Sequence, residues 1–179
     1  MDRNLGAPRV ATSMTDTEAY GDLYQWGRLV DGHEKRTSPT TPTLSPNDVP
    51  GQGSFILAPS SPYDWRFPQN ANLWQGIAGV NNPCPAGFRL PTDVEMNTER
   101  LSWSSQDDSG AFASPLKLVL AGYRGGHQDG GLIYSDTYGF YWSSMVDGTW
   151  SRGLVFSSGY VKMEPSARAA GFSVRCIKD

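Results

Sequence analysis

The most regular pattern of hydrophobic and polar positions in this chain lies within its last forty residues. There, Leu154 and Phe156 alternate with Gly153, Val155 and Ser157. A period of two is typical of a strand that buries one face and exposes the other. We therefore predict a strand whose leucine and phenylalanine lie in the core, while the residues that alternate with them face solvent.

Other apolar runs, separated by turn-forming segments, predict further strands along the chain. A run rich in leucine and valine ends in Tyr123 and Arg124, and a Gly-rich loop follows it. Short turns join the remaining segments, which favours antiparallel pairing. The predicted strands are Phe55–Leu57, Leu116–Arg124, Leu132–Ser135, Tyr138–Ser144, Ser151–Ser158 and Ala170–Lys178.

Helical spacing of apolar residues predicts two helices. The run Asp16–Gly27 places Ala19, Leu23 and Trp26 on one face of a helix. A second helix is predicted to follow Thr92, because this threonine can cap it and a glutamate three residues later completes a capping box. The apolar stripe of this second helix is thin, so its start is better defined than its length.

The order of these elements, with helices first and a sheet at the end, predicts an α+β fold in a single domain spanning residues 1–179. Residues 31–54 are rich in Thr, Ser, Pro and Gly, and we expect them to form a long surface loop. The chain contains six Trp, eight Tyr and seven Phe. Such a composition favours a loop-rich fold in which aromatic side chains, rather than Leu-rich helices, form the core.

Charge and hydropathy exclude several classes of partner. The formal net charge of −3, without a basic stripe, argues against a nucleic-acid or anionic-membrane surface. No run of eighteen apolar residues is present, so we expect no direct membrane insertion. The opening segment MDRNLGAPRV lacks the apolar core of a secretory signal, and we expect the chain to be an excised domain of a larger or exported protein.

The two cysteines, Cys84 and Cys176, each lie within a dense motif, NPCPAGFRLPT and GFSVRCIKD. Two cysteines without a third, and without Cys-x-x-Cys spacing, make a poor metal site. They form either one disulfide that ties the final strand to the middle of the chain or two buried free thiols. We expect the disulfide, which would indicate an oxidising compartment.

The residues that could support catalysis are few and scattered, so we predict that the chain is not an enzyme. His33 lies in a polar loop and His127 in the segment GGHQDGG, and we expect both imidazoles to be solvated. Ser114 and Lys117 form an S-x-x-K pattern, but neither S-D-N nor K-T-G accompanies it. The pattern is better explained as the start of a strand.

Six motifs carry a resemblance to a known family. In order along the chain they are MDRNLGA, AYGDLYQWGR, NPCPAGFRLPT, AGYR, YWSS and GFSVRCIKD. Together they resemble the Fibrobacter succinogenes major paralogous domain, a bacterial module of the C-type lectin-like fold, over nearly the whole chain. The resemblance implies two helices flanking a small antiparallel sheet, with the two termini close together. It also implies that the cysteines are structural, unlike the reactive pair of formylglycine-generating enzymes, which share the fold.

A narrower resemblance is to the variable proteins of diversity-generating retroelements, which use this fold as a scaffold for targeted mutation. It implies a variable ligand-binding segment at residues 138–170, in which fixed frame residues alternate with diversified ones. The frame includes Tyr141, Trp142, Leu154 and Phe156. The expected ligand-binding residues are Tyr138, Phe140, Asp147, Trp150, Ser151, Gly153, Val155, Ser157, Tyr160, Lys162, Glu164, Ser166, Ala167 and Ala170.

Calcium-dependent sugar binding is an alternative, because lectins of this fold ligate calcium through an E-P-N or Q-P-D triplet and a later W-N-D. Residues 164–166 read E-P-S, so one oxygen ligand is lost, and no W-N-D follows. Asp107 with Asp108, or Asp129 with Asp136, remain candidates for a structural calcium. We expect no cofactor.

We therefore predict a recognition module whose exposed sheet face binds a protein or surface ligand, with Trp150 and Tyr160 as the main contacts and Lys162 beside them. We expect it at a cell or virion surface or outside the cell. The alternatives are a structural domain of a bacterial surface protein without a diversified site, and a carbohydrate-binding lectin.

Overall fold

The computed structural model describes residues 1–179 and contains two α-helices, eleven short strands and a 3-10 turn at Thr17–Ala19. The helices are α1 (Asp93–Leu101) and α2 (Asp108–Ala113). The strands are β1 (Tyr24–Gln25), β2 (Thr40–Thr41), β3 (Phe55–Ile56), β4 (Phe88–Arg89), β5 (Tyr123–Arg124), β6 (Leu132–Ile133), β7 (Gly139–Asp147), β8 (Trp150–Ser157), β9 (Tyr160–Ser166), β10 (Gly171–Phe172) and β11 (Ile177–Lys178). The predicted α+β, loop-rich class is confirmed.

The three longest strands form an antiparallel sheet in the order β7-β8-β9. As the alternation predicts, Leu154 and Phe156 are fully buried on one face, together with Tyr141 of β7. This face packs against Met96 of α1 and Ala111 of α2. The helices therefore cover one side of the sheet.

A second antiparallel sheet, in the order β1-β10-β5-β6, lies against the other side. Two single bridges, between Gly122 and Gly139 and between Tyr141 and Ser173, connect it to β7. The indole of Trp142 stacks on the ring of Phe172, with the ring centroids 4.1 Å apart. Both faces of the central part of the three-stranded sheet are thus covered.

Buried tryptophans hold the irregular segments in place. The indole N–H of Trp26 donates to the carbonyl of Ser143, and that of Trp142 donates to the carbonyl of Tyr24. Trp65 donates in the same way to the carbonyl of Trp26. Each ring contributes apolar area to the core while its polar edge satisfies a backbone group that no strand partner reaches.

The helix predicted after Thr92 is confirmed as α1. The Thr92 hydroxyl accepts a hydrogen bond from the Glu95 amide, and the Glu95 carboxylate accepts one from the Thr92 amide, which completes the capping box. Two apolar residues of the helix, Val94 and Leu101, are largely exposed, in agreement with its thin apolar stripe.

The helix predicted over Asp16–Gly27 is wrong. Only the 3-10 turn forms there, and Gly21, with φ at +68°, breaks the helical path before β1 begins. Pairing of Tyr24 with Phe172 places this segment in the second sheet instead. Local spacing is overridden by a strand partner almost 150 residues away in sequence.

Besides β1, four elements are present that the hydrophobic pattern did not reveal: α2, β9 and the two-residue strands β2 and β4. Asp107 caps α2 by accepting a hydrogen bond from the Gly110 amide, in a segment whose glycine and serines suggest a loop. Strand β9 contains Pro165 and two charged residues, Lys162 and Glu164, but it lies at the edge of its sheet, where a proline is tolerated.

The predicted strand Leu116–Arg124 is regular only at its end, in β5. Residues 118–121 are buried without a strand ladder. Their backbone is satisfied by other groups: the Leu120 amide donates to the carbonyl of Met14, and the Val119 amide donates to the hydroxyl of Tyr141. The apolar run therefore predicts the burial of these residues correctly, but the predicted strand forms only at residues 123–124.

The predicted disulfide between Cys84 and Cys176 is present, with the two Cα atoms 5.9 Å apart. It is consistent with an extracellular location. The chain termini are close, because the Met1 ammonium donates to the carbonyl of Cys176 at 2.7 Å and the Leu5 amide donates to the carbonyl of Val174. Neither helix has the length and apolar character needed to cross a bilayer.

The prediction that His33 is a solvated loop residue is wrong. Its side chain is completely buried within the otherwise irregular segment 31–54. Nε2 accepts a hydrogen bond from the Gln25 amide at 3.2 Å, and Nδ1 lies 2.7 Å from Asp31, to which it donates in this arrangement. Burial lowers the pKa of His33, so the folded protein holds the imidazole neutral.

Folding should therefore become less favourable below about pH 6.5, where the unfolded chain protonates His33 and the folded chain does not. We expect the free energy of unfolding to fall by up to about 1.4 kcal/mol per pH unit there. Urea unfolding between pH 5 and 8 measures this, and His33→Gln should remove that part of the slope. The matched control His127→Gln should keep it; an unchanged slope in His33→Gln would contradict the assignment.

Candidate ligand-binding surface

A concave surface of about 300 Å³ lies where the two main sheets meet. We call it the aromatic groove. Seven of its ten lining residues are hydrophobic, and no lysine, arginine or carboxylate lines it. The lining residues are Tyr123, His127, Tyr134, Phe140, Trp150, Pro165, Ser166, Ala167, Ala170 and Phe172.

A second depression of similar volume adjoins the aromatic groove and shares Trp150, His127 and Ala167 with it. Tyr63 and Pro59 complete its lining. Because three residues belong to both depressions, Trp150 and His127 lie between them. The two depressions therefore form one continuous surface.

Four aromatic rings of the groove, those of Tyr134, Tyr123, Phe140 and Phe172, contact one another in a series. The centroids of Tyr123 and Phe140 are 4.8 Å apart, and those of Phe140 and Phe172 are 5.0 Å apart. Tyr134 packs on Tyr138 at 5.0 Å on the outer side. Such mutual packing restricts the rings, so a ligand would meet a surface that is already ordered.

Trp150 is held at the start of β8 by contacts that do not involve the groove face of its ring. The buried Arg168 guanidinium donates to the carbonyls of Gly148 and Trp150 at 3.1 and 3.4 Å. It lies 3.7 Å from the buried carboxylate of Asp64. Gln69 bridges the same carboxylate to the carbonyl of Thr149. Buried polar side chains therefore hold the backbone of the hairpin that carries Trp150.

Strand β9 carries a polar set of side chains beside the groove. The Tyr160 hydroxyl donates a hydrogen bond to Glu164. Partial burial and this carboxylate together raise the pKa of Tyr160 to about 12, so the phenol remains neutral. The ammonium of Lys162 lies 6.0 Å from the centroid of the Tyr160 ring.

The structure divides the fourteen residues that the sequence assigned to ligand binding. Nine have exposed or half-buried side chains: Tyr138, Phe140, Asp147, Trp150, Tyr160, Lys162, Glu164, Ser166 and Ala167. Among these, Phe140, Trp150, Ser166 and Ala167 line the aromatic groove. The other five, Ser151, Gly153, Val155, Ser157 and Ala170, are buried.

The prediction that β8 exposes one whole face is therefore wrong. Gly153 lies under Phe172 of the second sheet, and an added Cβ would come within 2.9 Å of the Tyr141 carbonyl oxygen. Val155 lies between its cross-strand neighbours Phe140 and Lys162 and is 5% exposed. Alternation separates the two faces of a strand, but it does not indicate whether a second layer covers the polar face.

The surface contains residues from outside the predicted segment that the sequence did not suggest: Tyr123, His127 and Tyr134 in the aromatic groove, and Tyr63 in the adjoining depression. Tyr63 and Tyr134 have φ angles of +56° and +58°, a left-handed conformation that bulky residues seldom adopt. No sequence pattern predicts a tyrosine in this backbone conformation. His127 is exposed as expected, but it forms part of the groove wall.

One group of three metal-ligating side chains is close enough to share an ion: Asp31, His33 and Glu34. Their ligand atoms already serve the protein, because Asp31 contacts both His33 and Arg28, and Glu34 accepts from the amide of Gly32. The candidate calcium ligands Asp107, Asp108, Asp129 and Asp136, and the triplet 164–166, belong to no such group.

The S-x-x-K residues do not form a reactive pair. The Ser114 hydroxyl donates to the carbonyl of Ala111 and accepts from the Leu116 amide. The Lys117 ammonium lies over the ring of Phe112, 5.1 Å from its centroid. Both side chains are therefore occupied by local structure.

No protein family, curated protein or solved structure matches this chain. The functional argument therefore depends on the geometry and the chemistry of the groove.

Replacing Arg168 should destabilise the protein strongly. Arg168→Ala leaves the buried Asp64 without its counter-charge and frees the hairpin carbonyls, so we expect a loss of about 3–5 kcal/mol. Arg152→Ala is the matched control, because its pair with Asp93 is partly exposed and should be worth about 1 kcal/mol or less. Chemical denaturation measures both losses, and equal losses would contradict the role of Arg168.

The division into buried and exposed positions can be tested within one ladder. Gly153→Ala should cost about 1–3 kcal/mol, because the new methyl group must displace packed neighbours. Lys162→Ala, on the same side of the sheet but exposed, should change the free energy of unfolding by less than about 0.5 kcal/mol. The urea unfolding midpoints of the two variants measure this difference. An unchanged midpoint in Gly153→Ala would show that the second layer is loosely packed over β8.

Proposed function

We propose that this chain is a recognition module that binds a protein ligand through the aromatic groove and the adjoining side of β9. One observation carries the proposal. Five of the six tryptophans are at most 7% exposed, whereas Trp150 is 38% exposed at the wall of an ordered, concave, uncharged surface. Rigid aromatic groups of this kind supply much of the affinity at protein interfaces.

The arrangement of the scaffold supports a C-type lectin-like domain. Two helices pack on one side of a small antiparallel sheet, the termini lie together, and a disulfide joins the last strand to the middle of the chain. We infer that the domain belongs to the type used by the variable proteins of diversity-generating retroelements. The nine accessible members of the predicted set would then be the diversified positions.

Stability and recognition depend on different side chains here, which supports this use of the fold. The core depends on Trp142, Phe172, Leu154 and Phe156, and the hairpin depends on Arg168. Eight of the nine accessible positions supply no side chain to these contacts; the ninth, Phe140, packs on Phe172. Substitution at those eight can alter binding with little effect on folding.

A non-enzymatic role fits the chemistry of the groove. Ser166 and His127 both line it, but no hydrogen bond joins them, and the His127 imidazole has no carboxylate partner. A nucleophile without a base, and a base without an orienting partner, lack the activation that covalent catalysis needs. With the disulfide, this favours a domain displayed at a cell or virion surface.

A display library tests the binding capacity directly. Positions Asp147, Trp150, Tyr160, Lys162, Ser166 and Ala167 are randomised together and selected against a panel of purified proteins. The matched control library randomises six exposed positions of α1 and the turn after it: Val94, Thr98, Leu101, Ser102, Ser104 and Gln106. The groove library should yield specific binders to several targets; enrichment no better than that of the control library would contradict the proposal.

Natural variation tests the retroelement origin separately. Alleles of this locus should differ mainly at the nine accessible positions, and a near-copy of the segment 138–175, differing at adenines, should lie beside a reverse transcriptase gene. Position 153 should remain small, because its Cβ has no space. Substitutions scattered evenly over the surface, without a reverse transcriptase nearby, would favour a structural surface domain.

A further inference from the structure

We propose that the surface formed by the aromatic groove and the adjoining depression accepts an arginine side chain of the protein ligand. The inference rests on the proposed binding function and adds the chemical class of the ligand group. It concerns Tyr63, His127 and Trp150 in particular. Two of these three residues lie outside the segment in which sequence predicted the site.

The walls of the adjoining depression are suited to a flat cation. The centroids of Tyr63 and Trp150 are 5.9 Å apart with their planes inclined by 32°, and the His127 ring lies 6.0 Å from Tyr63 at a steeper angle. Aromatic faces attract cations through the negative potential of the ring. A guanidinium also stacks flat on an aromatic ring, because it is planar and weakly hydrated.

Buried rings elsewhere in this chain already hold guanidinium groups in the same way. Arg168 lies over Trp26 with its central carbon 4.9 Å from the ring centroid, and Arg124 lies over Phe55 at 4.3 Å. Tyr63, Trp150 and the aromatic residues of the groove carry no such cation. No cation of this chain therefore occupies these rings, and Trp150, with 38% of its surface exposed, is accessible to one from a partner.

The charges beside the lining residues complement a basic ligand. Asp129 follows His127 by two residues, and Glu164 precedes Pro165, which lines the groove. Neither of these two carboxylates forms an ion pair within the chain. Asp136 accepts a hydrogen bond from the Tyr20 hydroxyl, and Asp147 is paired with Arg152 at 3.4 Å, so both already have partners within the chain. Neither depression is lined by lysine or arginine.

The test compares two probes of almost the same shape, N-acetyl-arginine amide and N-acetyl-citrulline amide, which differ in the charge of the terminal group. Binding to the folded chain is followed at low ionic strength through the indole N–H resonance of Trp150 and the amide resonances of His127 and Ala167. We expect saturable shifts with the arginine probe and an affinity weaker by about fivefold to tenfold with the citrulline probe.

Variants locate the site. Trp150→Leu should abolish the shifts of His127 and Ala167, while the five other indole resonances show that the fold is intact. Phe67→Leu removes an exposed aromatic residue that lines neither depression, and it should leave the shifts unchanged. Asp129→Asn should weaken arginine binding and reduce its dependence on salt.

Three outcomes would overturn the inference: equal affinity for both probes, no shift with either probe, or arginine binding that survives Trp150→Leu. None of them would disprove the proposed recognition function, because binders selected from the display library can use uncharged contacts in the same groove. If the display library yields no specific binders but the preference for arginine is observed, the surface binds a cation and the proposed recognition function is wrong.

Discussion

Stacking of Trp142 on Phe172 is the contact on which the rest of this structure depends. It joins the three-stranded sheet to the second sheet, which would otherwise be a set of two-residue strands with few ladder bonds. The hydrogen bond from the Trp142 indole to the Tyr24 carbonyl adds the N-terminal segment to the same junction. Short strands become stable here because their side chains are packed between layers, not because their ladders are long.

The same contact shapes the candidate site. Phe172 forms part of the groove, and Phe140 packs against it from β7. With Phe172 in this position, Gly153 has no room for a side chain and the middle of β8 is covered. The accessible residues therefore lie at the hairpin that contains Trp150 and on the outer strand β9, and not along the middle of β8. A ligand would contact the margin of the sheet and the loops beside it, rather than the flat face of its central strand.

Polar groups then keep the margin of the sheet in place. Gln69 donates to Asp64 and to the Thr149 carbonyl, and the Arg168 guanidinium, 3.7 Å from Asp64, donates to the carbonyls of Gly148 and Trp150. These bonds hold the backbone of the hairpin without any contribution from the Trp150 indole. In the second sheet, the side-chain amide of Gln25 donates to the carbonyls of Ile56 and Ala169 and accepts from the Ile56 backbone amide. The backbone amide of Gln25 donates to Nε2 of the buried His33. Interior polar networks of this kind specify one arrangement of loops, because every alternative leaves a buried group unpaired.

The sequence by itself determined the features that depend on neighbours along the chain. Alternation identified the buried face of β8, the spacing from Thr92 to Glu95 identified the start of α1, and the isolation of two cysteines identified the disulfide. Only the tertiary structure decided that a second layer covers Gly153 and Val155, and that residues 17–27 form a turn and a strand. It also decided that Tyr63, His127 and Tyr134 line the same surface as Trp150. The physical reason is that hydrophobic periodicity indicates which residues of one element are buried. Which part of the surface stays exposed to solvent depends on contacts between segments that are distant in the sequence.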